Sequence, residues 1–465
     1  MTHCRSRNKF LMTTMLIAPA IAMLSTAQPA LANCTGGGAG GVFAPTSGST
    51  VTCDANAPNP FIGSEIINFA GDVTVTLQDG AILNTTASDG ILAAIVLNNA
   101  TVTLGAGAQI IDTANGDSGV RGIGNATVTL SGDYSSITAA TQGVQGGNGS
   151  TVTLSGDNSS ITAGGDGVRG NINLTVTVGT NTQIIGDNDN NSATADGINL
   201  RSGTIISHGL IQTGSGASAG TSGDHSIEST TFGNNISLTL HTGSNLNSPN
   251  GADLTRGTVT LTLVGNNTED EVFLGVETVE VNADATGWEL TSTSTFDDVN
   301  INTGLFRNNG NLTINNALTV DSGASFGGAG TTIGTVTNNG TIAPGNSIGT
   351  QVINGNFVQG AGGTLTIEYG AGTAIDLLDI SGTAALDGAL TFTEDAAGVS
   401  FDTPLTFLDA DGGITGTFSS VPVFLSTSSG LVKADVAIGA NAATVTAQAY
   451  KTPRRAAQKA KLRRA

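Results

Sequence analysis

Charge is scarce in this chain, and that is the first constraint on what it can be. Charged residues make up 11% of the 465, against roughly 25% in an average soluble domain. Disorder usually couples low hydrophobicity to high charge, so this is not the composition of an ordinary disordered chain. Histidine is scarcer still. There are four in all, and past the first thirty-two residues only His208, His225 and His241 remain. Cysteine is limited to Cys4, Cys34 and Cys53, too few thiols without a nearby histidine for a metal centre. Beyond the N-terminus no run approaches 18 apolar residues, which excludes a helical membrane span there. Aromatics are 4% and unevenly placed. Tyr134 is the sole one between Ala70 and Thr231, whereas ten phenylalanines from Phe273 to Phe424, with Trp288 and Tyr369, fall in the second half. Rings bury the largest areas, so the C-terminal half is expected to be the better packed.

What is abundant is glycine, 66 residues, about twice the usual share of ~7%. Threonine, asparagine, alanine and valine accompany it. That mixture suits many short strands joined by tight turns. A chain of this length is also too long for one ordinary compact core and suits an elongated repeat body.

The formal charge of −20 conceals an asymmetry. Residues 1–32 carry three basic groups (Arg5, Arg7, Lys9) and residues 451–465 carry seven, neither with an acid. Six basic residues are therefore left against all 36 acids over 33–450, a net of −30. Such a body repels nucleic acid and anionic lipid, and its charge serves solubility. The N-terminus reads as a secretory signal: a basic start, the apolar run Phe10–Leu24, and the small-residue site Ala30-Leu31-Ala32. Export by that route would start the mature chain at Asn33. Cys34 and Cys53 would then form an even pair in an oxidising compartment, a candidate disulfide.

Repeats dominate Gly71–Ser202. Four segments align from Ala100, Ala126, Ser150 and Leu174, each opening with Thr-Val-Thr-Leu or Thr-Val-Thr-Val. Their first strands end at Leu104, Leu130, Leu154 and Val178, steps of 24 to 26 residues. An isoleucine follows seven residues later (Ile111, Ile137, Ile161, Ile185), and a Gly-Val or Gly-Ile pair supplies Val120, Val144, Val168 and Ile198. A repeat of this length calls for a solenoid. Three apolar strand centres per turn predict a three-faced coil. Strand alternation turns Val128 and Leu130 inward and the threonines outward. Stacking would set Val102, Val128, Val152 and Val176 in one interior column. Parallel crossovers are right-handed with few exceptions, so the expected fold is all-β, a right-handed parallel β-helix of about fifteen coils, some ~70 Å long at ~4.8 Å per coil.

The expected organisation is a signal peptide (1–32), an N-terminal cap (33–70), β-helix repeats (71–309), a C-terminal end and cap (310–450) and a basic tail (451–465). Within the fourth region stand Pro344-Gly345-Asn346-Ser347-Ile348-Gly349, then Asn354–Gln359, Leu365–Glu368 and Leu378–Leu390. Over about 310–425 this series resembles the C-terminal end of the passenger part of autotransporters (type V secretion). The resemblance implies a region that caps the β-helix and seeds its folding outside the cell. It also implies a partner, an outer-membrane translocation barrel. The chain ends at Ala465, where family members continue into that barrel. Three readings stay open: a truncated, non-functional autotransporter fragment, a passenger served by a separate translocator, and a stand-alone secreted β-helix.

Catalytic strings are present but poorly supported. Gly116-Asp117-Ser118-Gly119 has the letters of a serine-protease nucleophile but sits in a repeat turn and lacks a placed histidine. Gly345-Asn346-Ser347-Ile348-Gly349 has those of a nucleophile elbow, without the helix that motif needs. Asp187–Asn191 starts like a calcium loop, but Ser192 and Ile198 stand where glycine and glutamate are required. Gly146-Gly147-Asn148-Gly149 resembles one calcium β-roll repeat and occurs once. Asp297-Asp298 and Ser207-His208-Gly209 are the hints of a polysaccharide-active β-helix enzyme, whose chemistry needs carboxylates converging on one groove. The expectation is a non-catalytic surface or secreted protein acting in adhesion, autoaggregation or display, partnered by itself or by surface ligands. No catalytic, metal or cofactor residue is assigned, and no nucleic-acid partner is expected.

Overall fold

The computed structural model describes residues 33–448, apart from the short stretches 36–41, 44–46, 57–60, 63–64, 69–70, 86–94, 114–117, 188–194, 215–223, 231–233 and 429. The expected signal peptide and basic tail lie outside the described residues. Among those described, all regular structure is strand and none is helix.

Alternation of apolar and hydroxyl residues makes each Thr-Val-Thr-Leu segment a strand with one wet and one dry face. In Ala126–Leu130, Val128 and Leu130 are buried while Thr127 is exposed. The chain then passes through Ser136–Ala139 and Val144–Gln145 before returning, one layer on, as Thr151–Leu154. Each of these three strands belongs to a different sheet. Each pairs in parallel, in register, with its counterpart in the next pass. The second sheet has eight strands, from Phe61–Ile62 to Asn245–Asn247; the third has ten, from Val42–Phe43 to Phe273–Leu274.

Register lines up residues of like kind. Val102, Val128, Val152 and Val176 form the expected column, all fully buried. The column is longer than the repeats that revealed it. It begins with Val51 and Val75. It continues through Ile205, Leu238, Leu261, Val279, Val299, Leu318, Val336, Phe357 and Ala384 to Ile414. Those sixteen rungs span ~70 Å at ~4.8 Å each. Parallel pairing thus starts at Thr50–Asp54 in the first sheet and at Val42–Phe43 in the third, both inside the segment expected to be cap.

One alignment differs from the expectation. The second-sheet column runs Leu83, Ile110, Ile137, Ile161, Ile184, Ile211. Ile111 and Ile185 face outward, half-buried. The corner before the strand is one residue shorter in those two coils, so a fixed interval of seven picks the wrong member of each Ile-Ile pair. That corner needs left-handed backbone. Gly107 adopts it freely (φ 64°), but Tyr134, Asn158 and Asn181 adopt it as well (φ 56–58°), where asparagine tolerates it better than most residues.

From Gly257 onward the corners are absorbed into long strands. Gly257–Glu269, Val276–Leu290 and Thr293–Asn308 run 13, 15 and 16 residues, with register shifts where they bend. Trp288, Tyr369, Phe273, Phe296, Phe306, Phe326, Phe357 and Phe407 are fully buried here. Phe401 and Phe424 are about half exposed (47% and 54%), so not every ring of this half enters the core.

Both ends of the first sheet are covered by antiparallel strands. Asn33–Thr35 lies against Thr50–Asp54 at one end, and Cys34 and Cys53 are joined there by a disulfide. At the other end Ala442–Gln448 pairs with Pro404–Ala410 and with Gly430–Ile438. Covered edges do not template the pairing of further chains.

The column sets a sharp contrast between neighbouring residues. Leu130→Ala is expected to cost about 2–5 kcal/mol through lost burial and a residual cavity. Thr129→Ala, one residue away on the outer face, is expected to stay within ~0.5 kcal/mol. Urea midpoints of the two variants, followed by circular dichroism, check this.

Candidate functional site

The structure separates the suspected catalytic residues. Gly116 and Asp117 lie outside the described residues. Ser118 is buried, and its hydroxyl bonds to the amide oxygens of Gln142 and Gln145 at 3.4 and 3.3 Å. His208 and His241 stack on each other from adjacent coils, ring centroids 4.0 Å apart. The Ser207 hydroxyl, beside His208, bonds within its own turn to the Gly209 carbonyl. Asp297 and Asp298 accept bonds from Asn315 and Asn316 of the next coil, at 2.7 and 3.1 Å. Asp187 is fully buried with φ 47°; Asn188–Asn191 lie outside the described residues. Gly149 forms a left-handed turn (φ 75°) whose N–H donates to the Ile172 carbonyl.

The Pro344–Gly349 turn is a clamp between coils. Gly345 exchanges two backbone bonds with Gly328. Asn346 donates to Asn309 at 2.9 Å. The Gly349 N–H donates to one oxygen of Asp376 at 2.8 Å, and the Glu368 N–H donates to the other at 2.7 Å. Ser347 reaches only Asp395, at 3.4 Å.

The third sheet holds a dense group of ionisable side chains. Its register sets Val120, Val144, Val168, Ile198 and Ile227 in one buried column. The residues just after them form an outward ladder of Arg121, Gln145, Arg169, Asn199, Glu228 and then Asp253. Two residues before each column member lies a second, inner series. Asp166 and Asp196 belong to it, exposed by only 4% and 0%. An Asp166 oxygen accepts from the Asp196 N–H, and an Asp196 oxygen accepts from the His225 N–H. The Asn199 amide bridges Asp196 and Glu228, 2.8 Å from each. Asp166 also holds Arg169 at 3.8 Å.

Burial, followed by the charge of Asp196, pushes Asp166 and Glu228 up to about 7. Burial of His225 opposes its charge, but the hydrogen bond and charge of Asp196 outweigh it and raise its pKa. Burial likewise lifts Asp376 to about 7 and Glu269, packed near Trp288, to about 8.

Beside these carboxyls runs an open groove of about 330 Å³. Arg121, Arg169 and Arg201 line it with Gln145, Asn199 and Thr230. Its floor is the backbone of Gly122, Gly146, Gly147 and Gly170. A Cβ on Gly146 would sit 2.1 Å from the Ser150 hydroxyl, and one on Gly147 2.1 Å from the Gly124 carbonyl, so side chains are excluded from that floor. Of the strings singled out in the sequence, only Gly146-Gly147 falls in this groove, as lining backbone. A signal was present: Gly-Val-Arg-Gly recurs at 119–122 and 167–170, in a body with only six basic residues.

No protein-family model matches this chain, and no curated protein matches it in sequence.

Two predictions follow from these carboxyls. Asp376→Ala leaves the Gly349 and Glu368 amides without their acceptor; a loss of about 1–3 kcal/mol is expected, read from chemical denaturation at pH 8. The second concerns pH. In the unfolded chain carboxyls titrate near 4, whereas folded Asp166, Glu228, Asp376 and Glu269 keep their protons to about 7 or 8. The folded state therefore binds more protons across that window, and its stability falls as pH rises through it. The raised pKa of His225 acts in the same direction, while the lowered pKa of His241 opposes it. The melting temperature is expected to drop by several degrees between pH 5 and 8.5, and Glu269→Gln is expected to lessen that drop. A rise in melting temperature with pH would contradict this.

Proposed function

We propose that this chain is an exported, non-catalytic autotransporter-like passenger: a right-handed parallel β-helix displayed at or released from the cell surface, acting by adhesion or self-association. The observation that carries the reading is the uninterrupted sixteen-rung column from Val51 to Ile414. A stack that long presents one continuous face, and its outward positions are largely threonine, asparagine and acidic residues. Hydroxyl and amide side chains repeated at every coil form many weak contacts along a partner, which summed over a long face give avidity. The leader-like N-terminus, the disulfide-closed first turn and the resemblance around Pro344–Gly349 support export. A translocation barrel, on this chain or separate, is the partner that this reading requires.

The alternative, a polysaccharide-active enzyme, needs carboxylates that meet a substrate. Here Asp166 and Asp196 are buried, and no carboxylate lines the groove beside them. That favours the non-catalytic reading.

The test is adhesion of the purified chain. Sedimentation should show self-association, or immobilised protein should retain beads coated with host-cell or abiotic material. Absence of both, or release of reducing sugar from a polysaccharide panel, would overturn the reading.

A further inference from the structure

The groove on the third sheet concentrates positive charge against the trend of the whole molecule. The body between 33 and 450 has six basic residues, Arg121, Arg169, Arg201, Arg256, Arg307 and Lys433, against 36 acids. Three of the six line this one groove. Arg169 and Arg201 are exposed, and Arg201 makes no ion pair among the described residues. Arg169 is steadied from below by buried Asp166, and Asn199 by Asp196 and Glu228. A guanidinium held in this way presents a fork that suits a carboxylate or sulfate.

The arginines do not converge on a point. Arg121 and Arg169 occupy the same register position two coils apart, which is roughly 10 Å at ~4.8 Å per coil. Arg201 follows one coil further on. One small anion does not bridge that span, whereas a polymer with an acidic group at regular intervals does. The ladder ends in Glu228 and Asp253, so the anion-attracting stretch is bounded on that side. The floor of bare glycine backbone admits sugar rings, and Ile123, 51% exposed at the lip, offers an apolar edge to a sugar face.

A strongly acidic body repels a dense polyanion such as nucleic acid over long range. A duplex carries a charge every ~1.7 Å of its axis; a single polyuronate chain, with one carboxylate per sugar, is less densely charged, suffers less repulsion and still finds the arginines. We propose that this groove binds an extended acidic polysaccharide of the uronate class, laid along the coil axis across Arg121, Arg169 and Arg201. This deepens the adhesive reading and rests on it: the groove is one ligand-binding stretch of the adhesive rod.

The test is affinity electrophoresis of the full chain in gels containing alginate, neutral dextran or double-stranded DNA. The expected result is retardation by alginate alone, weakened by added salt. The triple variant Arg121→Gln, Arg169→Gln, Arg201→Gln should lose at least tenfold in apparent affinity. Arg307→Gln, outside the groove, should behave as the wild type. Circular dichroism monitors folding, and the single change Arg201→Glu, at an exposed and unpaired position, gives the same reading should the triple variant unfold. Alginate retardation that survives Arg201→Glu and the triple change overturns the assignment to this groove. No retardation of the wild type by alginate, or equal retardation by DNA, overturns the ligand class. Adhesion of the wild-type rod to other surfaces in either case leaves the broader reading standing, whereas loss of all adhesion removes both.

Discussion

In the parallel sheets of this protein, the ladder hydrogen bonds of a described strand leave its own coil. Ala126–Leu130 is satisfied by Ala100–Leu104 on one side and Thr151–Leu154 on the other, and not by any strand of its own turn. Buried N–H and C=O groups must be paired, so a single coil is not stable alone and stability exists only in the stack. From that one requirement come the in-register columns, the covered ends and the tolerance of a coreless composition. A coil needs only two or three small apolar residues per strand, because the layers above and below close the interior. The scarcity of aromatics before Thr231 is therefore no defect.

The same constraint explains how buried polar groups are handled. A side chain that points inward meets the same position of the next coil, and polar columns are satisfied across layers. Asn338 donates to Gln359 and to the Thr364 carbonyl, while its oxygen accepts from the Gly340 N–H. Asn308 repeats the arrangement with Thr331 and Gly310. The Asp166, Asp196 and Glu228 carboxyls follow the rule under a harsher charge condition. Like charges accumulate at neighbouring ladder positions, and burial with mutual repulsion keeps some of them protonated near neutrality. Beside the groove these carboxyls hold Arg169 and Asn199, next to glycines that leave space.

Much of the fold was legible in the sequence, for a physical reason. Threonine and valine alternation fixes which way a strand faces, and exact stacking makes a repeat length visible as a spacing. The columns through Val128, Ile137 and Val144 follow from that. What was not legible is where corners change length. The Ile110-Ile111 pair shows it: both residues suit a strand, and only the register to Ile137 decides which is inside. From Leu261 to Phe357 the repeat shortens to 18–21 residues per rung and bends within strands, and the last two steps lengthen to 27 and 30, so the three-strand signature is lost although the column persists. The groove was harder. Arg121 and Arg169 are 48 residues apart and Arg201 another 32; only stacking makes them neighbours. Conversely, the nucleophile-like strings at Ser118 and Ser347 were visible, yet both hydroxyls are taken up by amide or carboxylate neighbours in other coils.

The central claim is that successive coils advance by one strand spacing along a continuous stack. Pulsed electron paramagnetic resonance between spin labels at outward first-sheet positions measures that advance, with the native disulfide left intact. Thr103 and Thr239 are five register steps apart, and Thr103 and Thr319 nine. At ~4.8 Å per step the labelled sites should lie about 24 and 43 Å apart, a linear increase with coil number. Distances that fail to grow with coil count, or a Thr103–Thr319 separation no longer than the Thr103–Thr239 one, would contradict the stacked-coil account.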